Sequence, residues 1–279
     1  MNQLDKEKEI NVDLLEALKH NDYDFSQINL LHLQDYLLKH IGHPDPHIRD
    51  DLVYAIFAHL ILDHHLGEDE LTSICYRMLS EDFLTYDLEN KVEHSVLKRS
   101  FTLLQLVVIV YIHRRDHIIA KKTMMDLLNI FLDYTKLETV HQGYDPKVGW
   151  IHTIAHSADL FGQLMQIEWI SESELKLLFN GIREMIKGAS CYLMYNEDER
   201  MVVAVKKGLD RHILPQDYLS KWIKRFGEGV LVETLPENIF YKNNIKNFLK
   251  TLYFTLSDQD SYNELTSVIK STLSLLVKK

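Results

Sequence analysis

DPHIRDDLVYAIFAHLI, residues 45–61, opens on a turn, carries both signs of charge into its first helical turn and then runs apolar, with a histidine set deep among the apolar residues. Proline suits the first turn of a helix because its missing N–H is not needed there, and Asp45 just before it can cap. Arg49 follows, and then apolar and small residues at helical spacing. The stretch sets the architecture because it has echoes. Asp145-Pro146 precedes Gly149-Trp150, HSVLKRSFTLLQLVVIV carries Arg99 midway between the two, and NEDERMVVAVKKGL carries Arg200. Starts near residues 45, 95, 145 and 196, a step of about 50 residues, predict stacked helical hairpins, each too small to bury its own apolar face.

The stretch itself resembles the second helix of a HEAT repeat: Asp-Pro, an Arg a few residues on, then an apolar helix. Taken whole, the chain resembles a bacterial family of unknown function, found in low-GC Gram-positive species in particular. The resemblance rests on HPDPHIRDDLVYAIFAHLI, VLKRSFTLLQLVVIVYIHRRDH, GWIHTIAHSADLFGQL and EDER, which together span residues 43–205. It implies a HEAT-like fold and a bacterial, intracellular setting, and it implies no activity.

Helical signals continue to both ends, and only 10 Gly and 5 Pro interrupt them in 279 residues. Ser171 with Glu174, and Ser261 with Glu264, have capping-box spacing. Gly42 and Gly67 stand where a left-handed residue would close a helix. The one strand-like run, MVVAV at 201–205, has no hairpin partner. The expectation is an all-α chain, a HEAT-like α-solenoid of antiparallel helix pairs stacked in a right-handed superhelix. It forms a single repeat domain over 1–279, less regular over 210–279. Helices are predicted over 3–20, 26–41, 46–65, 68–79, 89–114, 116–136, 146–168, 171–187, 199–209, 215–226, 236–257 and 261–277.

A net charge of −10 disfavours broad binding to nucleic acid or anionic lipid. Cys75 and Cys191 stand apart with no disulfide or zinc spacing, as in a reducing compartment, and MNQLDKEKEINV has no secretory pattern; a cytoplasmic location follows as the expectation. LLQLVVIVYI, residues 103–112, reads as a buried core helix rather than a membrane span. Walker, GxGxxG and nucleophile-elbow motifs are absent. Asp63-His64-His65 spells a phosphoesterase signature but falls at a helix end. His113-Arg114-Arg115-Asp116-His117 reads as a solvated turn with Asp116 capping the next helix.

GWIHTIAHSADLFGQL carries the strongest functional signal. At about 100° per residue from Trp150, Asp159, His152, Gln163 and His156 share a polar lane about 60° wide on an otherwise apolar helix. Three readings stay open: a buried hydrogen-bonded network, a binding groove, or a site in which His152, His156 and Asp159 hold a divalent metal or act as acid and base. Thr153 stands where HExxH would place its glutamate. On the repeat step His59 is the counterpart of Asp159 on the same concave face, and Arg49 and Arg99 recur beside the groove. The expected role is a scaffold or binding module, without a cofactor, that takes a protein, a peptide or a small ligand; a metal-dependent hydrolase is the alternative. Oligomeric state is not legible.

Overall fold

The computed structural model describes residues 10–228 and 237–278, which are predominantly helical. In chain order the helices are α1 (Val12–His20), α2 (Leu30–His40), α3, α4 (Glu68–Met78), α5 (Ser95–Asp116), α6 (Lys121–Leu137), α7 (Thr153–Leu164), α8 (Glu172–Gly188), α9 (Glu197–Leu209), α10 (Gln216–Lys224), α11 (Glu237–Leu256) and α12 (Asn263–Lys278). Helix α3 opens as a π-helix over His47–Tyr54 and continues unbroken as an α-helix over Ala55–Leu62. Residues 3–9 of the first expected helix and the start of the eleventh, residue 236, lie outside the described residues.

Local chemistry explains several of the starts. Asn11 and Asn29 side chains accept from the N–H groups of Leu14 and His32. Ser171 and Glu174 close the expected capping box on α8, with Ser171 N–H donating to Glu174 at 2.8 Å. The Asp45 carboxylate accepts from His47 N–H at 2.9 Å just ahead of the helix, whose N-cap position is taken by Pro46 without a side-chain cap. The Ser261–Glu264 expectation is displaced by two residues: a 3-10 turn over Asp260–Tyr262 comes first and α12 starts at Asn263. MVVAV lies inside α9.

Both glycine expectations need correction. Neither Gly42 nor Gly67 has a positive φ; His64 takes the left-handed position after α3, and Gly67 is the N-cap of α4. Gly42 is glycine for space, because a Cβ there would lie 2.5 Å from the backbone of Lys98 on α5. The HRRDH corner also differs. His117 ends α5 in the left-handed region, Arg115 holds Asp116, and α6 starts beyond them with Ala120 as its N-cap.

The largest departure is at residues 144–152. The second Asp-Pro makes the turn of a β-hairpin, not a helix start: β1 (Tyr144–Asp145) pairs antiparallel with β2 (Gly149–Trp150), Tyr144 opposite Trp150. Asp145 accepts from the N–H groups of Lys147 and Val148, and Gly149 at φ +76° makes the return. A small apolar cluster of Val96, Leu97, Val148 and Ile151 seats this hairpin on the start of α5.

Helices α3, α5, α7, α9 and α11 pack each on the next, while α4, α6 and α8 pack in a second succession and α12 lies on α10 and α11. One cluster of buried apolar side chains runs from Leu15 to Leu276. Helix α5 is long and apolar enough to cross a membrane, yet 78% of its most apolar window is buried inside the protein. It also carries the buried polar side chains Arg99, Ser100, Thr102, Gln105 and His113.

Candidate functional site

The hairpin, the start of α7 and the start of α9 converge on one open cleft, lined by Trp150, His152, Met194, Tyr195, Asn196, Glu199, Arg200 and Val203. Its floor is aromatic. Trp150 stacks on His152 with ring centroids 4.4 Å apart and nearly parallel planes. Tyr144 and Tyr195 meet Trp150 edge-on at 4.9 and 5.4 Å. These rings are not a core: Trp150 is 40% exposed and the neighbouring Met194 is 64% exposed. Residues that could bury themselves in a helix stack are instead held on a strand and a loop with their faces toward solvent.

Backbone chemistry places them. His152 leaves the hairpin at φ +57°, a left-handed conformation that turns the chain from β2 into α7. Tyr195 is fixed by the next helix, its N–H donating to Glu197 at 2.7 Å. Burial pushes the Glu197 carboxyl above its ordinary range.

The expected lane is redrawn by this start of α7. Asp159, Gln163 and His156 are on the helix, but Trp150 and His152 reach the site from the hairpin and its exit. Asp159 meets Arg200 of α9, which donates to both carboxylate oxygens. Gln163 accepts from Arg114 of α5. His156 is buried, with Nδ1 2.9 Å from the Ser100 hydroxyl and 3.0 Å from the Ser100 carbonyl. Because the hydroxyl donates to the Ile151 carbonyl, Nδ1 must be the donor, which fixes a neutral Nδ1–H tautomer. The two histidine rings are 5.6 Å apart, and among the described residues no group of three His, Cys, Asp or Glu side chains is disposed to hold a metal. Arg200, Tyr195 and Ser100 join the site without having been picked out; the EDER run alone pointed to Arg200.

Of the remaining predicted residues His59 and Arg99 are elsewhere, and Arg49 lies beneath the hairpin that carries Trp150. His59 stacks on Tyr23 at 3.6 Å and contacts Asp63, among the N-terminal helices. Arg49 and Arg99 are fully buried and bind loop carbonyls and carboxylates rather than a groove. Arg211, which the sequence reading missed, repeats the device by donating to the carbonyls of Met165, Ile167, Glu168 and Ile170 after α7.

Burial, helped by the Arg200 charge, holds His152 down to about 4, and the same causes hold His156 well below the ordinary histidine value. Both rings are therefore neutral near pH 7. The folded protein binds fewer protons than the unfolded chain between these depressed values and about 6.5, so stability falls as the pH drops through that window. Urea midpoints at pH 7.5 and pH 5 are expected to show this loss, and His156→Gln to flatten it. His156→Leu at pH 7.5 is expected to cost about 1–3 kcal/mol, because the Ser100 carbonyl and hydroxyl lose their buried donor. A midpoint equal to wild type would place His156 outside any such network.

A model of a family described as a protein of unknown function, DUF2785, matches residues 84–254, more than half of the chain. No curated protein and no solved structure matches it.

Proposed function

The chain belongs to the DUF2785 family, and from that premise we propose that it is a cytoplasmic, HEAT-like helical-repeat module that binds an extended segment of a partner protein in the Trp150–Tyr195 cleft. The exposed aromatic floor carries this reading. Trp150, Tyr195 and Tyr144 offer large rigid surfaces at little entropic cost, and Arg200, Glu199 and Asn196 border them with polar groups. An aromatic centre with a polar rim is the anatomy of protein-recognition sites. The succession of α3, α5, α7, α9 and α11 supports a repeat stack, in which an open face along one row of helices is a natural binding surface. The cleft reading is preferred to a metal site because Arg200 already engages both oxygens of Asp159, the carboxylate that a His152–His156–Asp159 set would need.

The test is selection of 12-residue peptides displayed on phage against the full chain, with counter-selection on Trp150→Ala. Peptides that enrich on wild type, share an aromatic or proline anchor and lose about tenfold or more in affinity on Trp150→Ala or Tyr195→Ala support the cleft. Absence of any sequence dependent on Trp150 would overturn it.

A further inference from the structure

Farther along the same helices, Arg114, Arg200 and Lys207 approach α7 from both sides. Arg200 is satisfied by Asp159. Among the described residues the other two cations form no ion pair with a carboxylate. Arg114, on α5, donates to the amide oxygens of Gln163 and of Gln166, the latter at 3.0 Å. Both acceptors are neutral, so they orient the guanidinium without cancelling its charge. Lys207, on α9, is half-buried and makes no hydrogen bond or ion pair with a described residue. Its side chain lies across α7 at Gly162, where a Cβ would come within 3.2 Å of Cδ and 3.3 Å of Nζ. A helix interior disfavours glycine, so Gly162 stands where the lysine needs the space. Gln166 in turn donates to the Gly162 carbonyl, which ties the acceptor of Arg114 to the residue beneath Lys207.

We infer that Arg114 and Lys207, flanking the Gly162–Gln166 turn of α7, form a binding site for a dianionic phosphate group. Two half-buried cations without carboxylate partners leave a local excess of two positive charges in a chain whose net charge is −10. A phosphate monoester, close to doubly negative at neutral pH, matches that excess. Its tetrahedral oxygens can take a guanidinium fork and a point-charge ammonium at once. Burial lowers the affinity of both groups for their protons, and for Lys207 the nearby Arg114 adds to this while Asp159 opposes it. A bound dianion would relieve the unfavourable burial of both. The site stands independently of the aromatic cleft.

Isothermal titration of the full chain with inorganic phosphate, with phosphoserine and with succinate, at matched ionic strength, tests the inference. Saturable binding of phosphate or phosphoserine is expected, with Lys207→Gln and Arg114→Gln each raising Kd roughly tenfold or more. Lys206→Gln, which removes a lysine already paired with Asp210, is expected to leave Kd unchanged. Gly162→Ala keeps every charge but crowds Lys207, and is expected to weaken binding as well; with Lys207→Gln it carries the test should Arg114→Gln fail to fold. Tighter phosphoserine assigns the site to a phosphorylated partner, and equal or tighter inorganic phosphate assigns it to the free ion; either order supports the site. Absence of saturable binding, a Kd unaffected by Lys207→Gln, or succinate binding as tightly as phosphate would overturn it.

Discussion

Arg99→Met is expected to lower the free energy of unfolding by about 3–5 kcal/mol, because it strands a buried carboxylate. Arg99 and Glu138 are both shut off from solvent and meet through two bonds of 2.6 and 2.9 Å. The remaining donors of Arg99 reach the Tyr86 and Asp87 carbonyls, the Ser95 hydroxyl and the Asn90 amide oxygen, tying the loop before α5 to the end of α6. Tyr134 and the N–H groups of Thr139 and Val140 complete the shell of Glu138. Burial alone would push the Glu138 carboxyl up; the bonds and charge of Arg99, with the bonds from Val140 N–H and Tyr134, offset this and hold it below the ordinary range. Its stabilising contribution is thus present above the unfolded carboxylate value and lost as the pH falls through the folded one. Without Arg99 the largest lowering influence is gone and burial pushes the carboxyl upward, so the penalty of Arg99→Met should be smaller at pH 5 than at pH 7.5. Urea denaturation at the two pH values reads both effects, and the double variant Arg99→Met, Glu138→Leu should recover a large part of the loss. A single-variant cost under about 1 kcal/mol would show that the buried pair does not hold this corner together.

The helices were legible where periodicity and capping agreed. In α8 the Ser171–Glu174 box and the Leu175, Leu178, Phe179, Ile182 face all point one way, and the element forms as expected. The hairpin was not legible, because Asp-Pro is as good a start for a β-turn as for a helix: Asp45 and Asp145 make the same kind of side-chain bond to the N–H two residues on. What separates them is tertiary, the seating of Val148 and Ile151 on α5. The lane of Asp159, His152, Gln163 and His156 was drawn on one helix counted from Trp150; His152 and Trp150 instead reach the site from the hairpin, and Gln163 turns away to Arg114. A helical wheel contains no neighbouring helix, which is why the partner of Asp159 on α9 was missed. Tyr195 was hidden for a related reason: CYLMYNE has neither helical nor strand period, and its aromatics acquire meaning only beside Trp150. Arg49 and Arg99 stood out on the repeat step, and both are buried against carbonyls and carboxylates of other segments; in a repeat motif such an arginine and a ligand-facing one look alike.

Arg49→Met is expected to cost about 2–4 kcal/mol and, unlike a core truncation elsewhere, to disorganise the cleft as well. Arg49 is fully buried and spends its donors on both sides of a junction: on the Asp50 carboxylate at 2.7 Å and the His43 carbonyl at 3.0 Å, within its own segment, and on the Val148 carbonyl at 3.0 Å and the Trp150 carbonyl at 3.4 Å, across in the hairpin. The guanidinium lies 4.5 Å over the Phe101 ring, whose edge meets His156 at 5.4 Å. One side chain therefore fixes the strand that presents Trp150 and braces the histidine behind it. Arg49→Lys keeps the charge but cannot span four acceptors with a planar fork, so it should retain less than half of the lost stability. Asp50 sharpens the test. Burial raises its carboxyl and Arg49 opposes this, so removing the arginine should shift the carboxyl further up and make the variant less sensitive to mild acid than wild type. Trp150 is the exposed member of three tryptophans, Trp222 being buried, so a loosened hairpin should red-shift the emission and raise acrylamide quenching before global unfolding. Unfolding at the wild-type midpoint with unchanged quenching would mean that the apolar seat of Val96, Leu97, Val148 and Ile151 alone holds the hairpin. The cleft would then owe its shape to packing and not to the arginine beneath it.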